Sequence, residues 1–157
     1  YGLVLMMDIN KNISLASLEK VSRHSVINAN AEIKNAEKYT AALKIKTPSV
    51  EQKTRNLSGG NQQKVVLAKS LMIEPRILIL DEPTRGIDVG AKLEIYNIIN
   101  ELVDSGVGVI IISSDLPEII GMSDRVAVMH EGRLKAVLDI SEATQENIMR
   151  HATGTAA

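Results

Sequence analysis

Two short stretches of this chain carry residue types that can handle phosphate. The first is Leu57-Ser58-Gly59-Gly60-Asn61-Gln62-Gln63, placed at the start of a predicted helix. Two consecutive glycines leave their N–H groups unshielded by any Cβ, so phosphate oxygens can come close. A helix N-terminus adds a favourable dipole worth about 0.3–1 kcal/mol per anion at exposed sites. Ser58 offers its hydroxyl either to a phosphate or to the helix as its N-cap. A plain flexible turn with a capping serine would use the same residues. The second stretch is Ile77-Leu78-Ile79-Leu80-Asp81-Glu82-Pro83, which puts two carboxylates at the end of an aliphatic run. In open α/β sheets, sites gather at the carboxyl ends of strands. Asp81 there suits Mg²⁺, held directly or through water, and Glu82 suits a base that orients or deprotonates attacking water. Asp-Glu-Pro is also ordinary chemistry for a solvated turn.

The elements that must position these residues follow from periodicity and punctuation. Before Asn56 the pattern is helical and polar. Asn10 is expected to cap a helix carrying Ile13, Leu18 and Val21. A second helix is predicted from about Asn30 to Ile45, with Ile33, Ala36, Tyr39 or Thr40, and Leu43 on one face and Thr47-Pro48-Ser49 ending it. After Asn56, helices and strands alternate. A helix from Gly59 to about Met72 is broken by Pro75, and Ile77–Leu80 reads as a strand buried on both faces. Asp88 caps a helix through Val103, closed by Gly106. Val107–Ile112 is a second apolar strand, and Leu116–Gly121 a short helix. Arg125–Met129 and Leu134–Leu138 flank a hairpin turn, and Thr144 caps a last helix through Met149. Continuous aliphatic strands between amphipathic helices imply a parallel sheet covered on both sides.

Taken in order, these motifs resemble those of ATP-binding-cassette (ABC) ATPases, and the resemblance covers essentially the whole chain. Leu57–Gln63 is similar to the ABC signature sequence. Ile77–Glu82 is similar to a Walker B strand with its catalytic glutamate, and Arg85-Gly86-Ile87-Asp88 to the D-loop that follows. Asp124-Arg125-Val126 with Gly132 resembles the end of the same domain. Asn61-Gln62-Gln63-Lys64, with Asp81 through Lys92, resembles the second cassette of ATPases serving ribose-, galactose- and xylose-type importers.

The resemblance implies a fold: a helical subdomain over residues 1–72, including the signature helix, then the C-terminal half of a RecA-like P-loop NTPase core with a parallel sheet over 73–157. It implies ATP and Mg²⁺ as ligands. It further implies a head-to-tail pairing in which Ser58, Gly59, Gly60 and Asn61 meet ATP held by the other cassette. Asp81 at the metal and catalytic Glu82 would act beside their own nucleotide, and Asp88 would lie at the seam between cassettes, where it can equally be a helix N-cap. Transmembrane permease subunits are the implied partners, with the chain peripheral on the cytoplasmic face of the inner (plasma) membrane and no direct contact with the sugar.

The chain departs from the family pattern in two places. No G-x-x-x-x-G-K-[ST] occurs, and no glycine is followed by lysine, so the usual loop that cradles ATP phosphates is missing from these residues. By the family's order it belongs upstream of Tyr1. A start at Tyr1, running straight into an apolar stretch, makes an excised piece the expectation, inactive on its own. In Ile112-Ser113-Ser114-Asp115-Leu116, Ser114 stands where the family usually has a histidine near the γ-phosphate. A neutral hydroxyl cannot take over the proton-shuttling or sensing role of an imidazole.

Composition agrees with a soluble domain and narrows the rivals. The 157 residues are 45% hydrophobic and 24% charged, with only 2% aromatics, so the core must be aliphatic. A net charge of −1 leaves no nucleic-acid footprint, and the absence of cysteine excludes disulfides and thiolate metal sites. His24, His130 and His151 share no metal-ligand spacing and read as surface residues, and Glu32, Lys34, Glu37 and Lys38 as a solvated helix face. The alternatives are a soluble ABC ATPase of DNA repair or the ribosome, and a non-catalytic regulatory half. The first should carry long heptads or basic linkers, which this chain lacks; Ser114 favours the second.

Overall fold

The computed structural model describes residues 2–154. The chain forms two compact units, one up to Ile110 and one from Ile111.

In the first unit, three helices make the aliphatic core: α1 (Ile9–Ser14), α2 (Ala29–Ala42) and α3 (Gly59–Leu71). Helix α1 packs on both others, burying Ile9, Ile13, Ala36, Val65 and Ala68 completely, each large aliphatic side chain contributing roughly 1.5–3 kcal/mol. The helix begins two residues earlier than Asn10 would place it. Asp8 is its N-cap residue, and Asn10 lies buried inside. Asp8 instead accepts from Lys11 Nζ and Lys53 Nζ, both at 2.7 Å. Those two bonds, Lys11's first, hold its carboxyl below the usual range. Buried Asn12 ties the same corner together, donating to Thr54 Oγ1 at 2.9 Å and accepting from the Val4 N–H at 2.8 Å.

Helix α2 starts where Asn28 Oδ1 accepts from the Ala31 N–H at 3.1 Å. It ends before the proline that was expected to stop it. Lys44 turns left-handed (φ 51°), and the Ile45 N–H reaches back to the Thr40 carbonyl at 2.9 Å, closing the helix ahead of Pro48. Its charged face is only partly solvated. Lys34, Glu37 and Lys38 are exposed, but Glu32 is buried and accepts from Ser14 Oγ. Between α1 and α2, a short hairpin pairs β1 (Ser22–Arg23) with β2 (Val26–Ile27) antiparallel.

Strand β3 (Ile77–Asp81), helix α4 (Val89–Asp104) and strand β4 (Gly108–Ile112) form a βαβ crossover. The Gly108 N–H donates to the Arg76 carbonyl at 2.9 Å, so the two strands start side by side and run parallel. Expected cover on both faces is found on one. Leu78 and Leu80 are buried, whereas Ile77 and Ile79 are 64% and 62% exposed, because among the described residues no layer packs on that side.

The second unit continues through helix α5 (Leu116–Met122) to the hairpin of β5 (Arg125–His130) and β6 (Arg133–Asp139), and ends in helix α6 (Gln145–Ala152). Glu131 and Gly132 both have positive φ (47° and 72°), as the two central residues of a type I′ turn require. Val126, Val128, Leu138, Ala143 and Ile148 form its core, with Leu116, Ile119 and Ile120 packed against it.

Candidate nucleotide-handling site

Helix α3 begins at the glycine pair. Ser58 occupies the N-cap position with extended backbone (φ −61°, ψ 158°), yet its side chain makes no capping bond. Its Oγ accepts from Asn61 Nδ2 at 2.9 Å, and Asn61 Oδ1 accepts from the Lys46 N–H at 2.8 Å. Of the two uses open to the serine hydroxyl, capping is therefore not taken. Asn61 is held at both ends within the chain and serves as the brace of the turn.

The two glycines differ in surroundings. Gly59 is exposed, and a Cβ there would find ordinary room 3.6 Å from Ile87 Cγ2. Gly60 is buried, and a Cβ there would stand 2.6 Å from the Cβ of Ala91, at the start of α4. The turn at 58–60 and the loop leading into α4 thus make one continuous surface. That loop runs Arg85-Gly86-Ile87-Asp88. Gly86 takes φ 76°, and Asp88 caps α4 through Oδ1 accepting from the Ala91 N–H at 2.9 Å. An open groove of about 330 Å³ runs along this surface, lined by Gly59, Gln62, Gln63, Arg85, Gly86 and Ile87 among others.

Asp81 ends β3 with its side chain exposed, and Glu82 follows, partly exposed. Glu82 has φ 48°, a left-handed conformation that costs an L-residue roughly 1–2 kcal/mol. Buried Pro83 and Thr84 anchor the next two positions, and the Arg85 N–H closes the turn on the Glu82 carbonyl at 3.2 Å. Strain of this kind concentrates where a side chain must be aimed. Among the described residues no cluster of three or more acids or histidines exists. A cation at Asp81 would lean on phosphate oxygens and water for most of its shell, which is how Mg²⁺ is usually held.

Ser114 belongs to the second unit, exposed, between β4 and α5, where the Asp115 N–H donates to Ser113 Oγ at 3.0 Å. His130 Nδ1 lies 2.7 Å from the Ala152 carbonyl.

Sequence reasoning missed one pair. Lys64 is buried (2% exposed) and its Nζ lies 2.7 Å from Glu94 Oε2 on α4. The ammonium, as hydrogen-bond partner first and charge second, holds the Glu94 carboxyl below its ordinary range. The signal was present: Gly60, Lys64 and Ala68 recur at four-residue spacing on the buried face of α3.

Comparison with known proteins bears on the same residues. The model of the ABC transporter family matches residues 4–85. The chain is 62% identical over 154 residues to the xylose import ATP-binding protein XylG of Thermoanaerobacter pseudethanolicus, a match that covers 98% of this chain and 30% of the relative. It is 60% identical to the L-arabinose transport ATP-binding protein AraG of Geobacillus stearothermophilus, over 99% of this chain and 30% of that one. To the ribose import ATP-binding protein RbsA of Clostridium perfringens (strain 13 / Type A) it is 53% identical, over 98% and 31%. The chain therefore spans about 30% of the length of the curated relatives it matches. Among solved structures, the backbone is similar to the dimeric post-hydrolysis state of the ATP-binding cassette MJ0796 bound to ADP and Pi (TM-score 0.74, 21% identity, 88% of this chain and 59% of that one). It is also similar to MJ1267, an ATP-binding cassette of an ABC transporter (TM-score 0.75, 21% identity, 92% and 62%). At these identities the likeness concerns the fold, an α/β cassette.

Proposed function

The chain belongs to the ABC transporter family, and on that premise we propose that it works within the ATP-hydrolysing subunit of a sugar importer, as the C-terminal part of that subunit's second cassette. The observation that carries this reading is the packing of Gly60 on Ala91, which joins a signature-type turn to the Asp88 loop in one surface. Ser58, Gly59 and Gly60 present backbone N–H groups and a hydroxyl to the γ-phosphate side of a nucleotide held by a second cassette. Asp81 holds the metal of the cassette's own nucleotide, and Glu82, aimed by its left-handed backbone, orients the attacking water and takes its proton. Mg²⁺ held there would neutralise part of the charge that builds on the transferring phosphoryl group. The phosphate cradle is contributed by residues outside these 157, since no G-x-x-x-x-G-K-[ST] lies within them.

In this reading residues 1–72 act as the helical subdomain that meets the permease and residues 73–157 as the catalytic-core half. The exposed isoleucines of β3 dock under the remainder of the nucleotide-binding domain. The subunit sits peripherally on the cytoplasmic face of the membrane; no helix among the described residues is long and apolar enough to cross one. The sugar named for the relatives, xylose, arabinose or ribose, is selected elsewhere in the transporter.

A second reading, a regulatory half that completes its partner's site without turning over itself, is favoured by Ser114 in the usual histidine's place. One experiment separates the two. In the complete protein, Glu82→Gln is compared with wild type for single-turnover ATP cleavage at each cassette. Loss of one of two cleaved equivalents supports the catalytic reading, and an unchanged count supports the regulatory one.

A further inference from the structure

We infer, resting on the reading above, that Lys64 is a positioning residue: its buried ammonium fixes the signature turn in register with the Asp88 loop. Two rungs join α3 to α4. Gly60 meets Ala91, and one turn further along Lys64 Nζ meets Glu94 Oε2 at 2.7 Å. Lys64 follows Gly60 by four residues and Glu94 follows Ala91 by three, so each pair lies on one face of its helix. The same ammonium donates to the Lys44 carbonyl at 3.1 Å, just past the C-terminus of α2. Lys46 beside it braces Asn61 through its N–H, and its own Nζ lies 3.9 Å from Glu94 Oε1. One side chain therefore ties the helical layer, the signature helix and the helix behind the Asp88 loop together.

Stability alone is a poor reason for this arrangement. Burying an ammonium costs desolvation that its ion pair only roughly repays, and an apolar residue of equal volume often serves stability as well or better. What the pair supplies, and an apolar side chain does not, is a fixed direction. If the turn at 58–60 and the Asp88 loop must meet a partner cassette's nucleotide together, slippage between α3 and α4 weakens the closed, reactive state. Initial nucleotide binding, made on the phosphate cradle, is spared.

The test compares wild type, Lys64→Met, Lys64→Arg, Glu94→Gln and the Lys64→Met/Glu94→Gln double variant of the complete protein. It measures ATP turnover, thermal unfolding and amide hydrogen exchange at Gln62, Gln63, Lys92 and Leu93. Lys64→Met is expected to lower kcat on the order of tenfold, the scale of a small misplacement of reacting groups. KM for Mg-ATP and the unfolding midpoint should stay near wild type. Glu94→Gln, half-exposed and benign to folding, should lower kcat in the same direction. The double variant should be no worse than Lys64→Met, and Lys64→Arg should recover part of the loss. Exchange at the four amides should quicken in both single variants. Wild-type kcat and unchanged exchange in folded Lys64→Met, or losses that multiply in the double variant, would overturn the inference. If wild type itself lacked turnover while exchange still quickened in the variants, the ATPase reading would fail and the positioning role would stand.

Discussion

Gly60 and Ala91 stand so close that a single added methyl on the first would sit 2.6 Å from the Cβ of the second. Neither is a flexible side-chain end that can swing away. Gly60→Ala should therefore cost about 1–3 kcal/mol by overpacking, outweighing the roughly 0.5–1 kcal/mol that alanine otherwise gains in a helix. Urea unfolding of the variant reads this directly. Adding Ala91→Gly should return most of the loss, since it removes the obstructing methyl. Equal stability of Gly60→Ala and wild type would mean that the two helices part freely there.

Glu82 is the proposed base, and its left-handed backbone is followed directly by buried Pro83 and Thr84. Glu82→Gln should leave folding and ATP affinity near wild type. It should slow cleavage at its own site by about 10²–10⁴-fold, the usual worth of a positioned general base. Single-turnover cleavage with labelled ATP checks it. Comparable loss of ATP binding would move Glu82 from chemistry to architecture.

Acid should loosen the first unit through Asp8. Lys11 and Lys53 hold the folded Asp8 carboxyl below its usual range, so its contribution is fully present above the unfolded value near 3.9. That contribution is lost as pH falls through the lower folded value, where the native carboxylate finally takes up a proton. Glu94 beside Lys64 acts in the same sense. Unfolding midpoints should hold down to about that unfolded value and fall below it, and Asp8→Asn should flatten the acid limb. An unaltered slope in that variant would remove Asp8 from the account.

The bare face of β3 should make the 157-residue chain self-associate when studied alone. Ile77 and Ile79 present adjacent apolar surface, 64% and 62% exposed, of the kind that marks an interface. Ile79→Lys should shift sedimentation of the isolated chain toward monomer. In the complete protein, where that face is proposed to be covered, the same change should reduce stability.

Where local chemistry decided the structure, the sequence was readable. The Asp88/Gly106 pair, the Glu131-Gly132 turn and the Thr144 cap are self-contained signals, and the elements they bound lie within a few residues of expectation. Where no punctuating residue announced a turn, or a partner far along the chain decided burial, the structure departed from expectation. The β1–β2 hairpin turns on His24 and Ser25, both at positive φ without glycine or asparagine to announce it. Helix α2 stops at a left-handed lysine, well before the expected proline. Glu32 and Lys64 are charged residues on buried faces, and each is made tolerable by a partner far along the chain, Ser14 or Glu94, that periodicity alone does not reveal. The site divided likewise. The turn at 58–60 and the carboxylates at 81–82 were visible as motifs, but the brace through Asn61 and the Gly60–Ala91 contact needed coordinates.

The most direct test of the central claim is a Mg-ATP titration of the 157-residue chain by calorimetry, with turnover measured alongside, repeated on the complete protein. The account predicts no saturable binding and no turnover by the chain alone, and both in the complete protein, where a phosphate cradle joins Asp81 and Glu82. Saturable binding with turnover by the chain alone would contradict it: the phosphate site would then lie within these residues, and the roles given to Ser58, Asp81 and Glu82 would have to be reassigned.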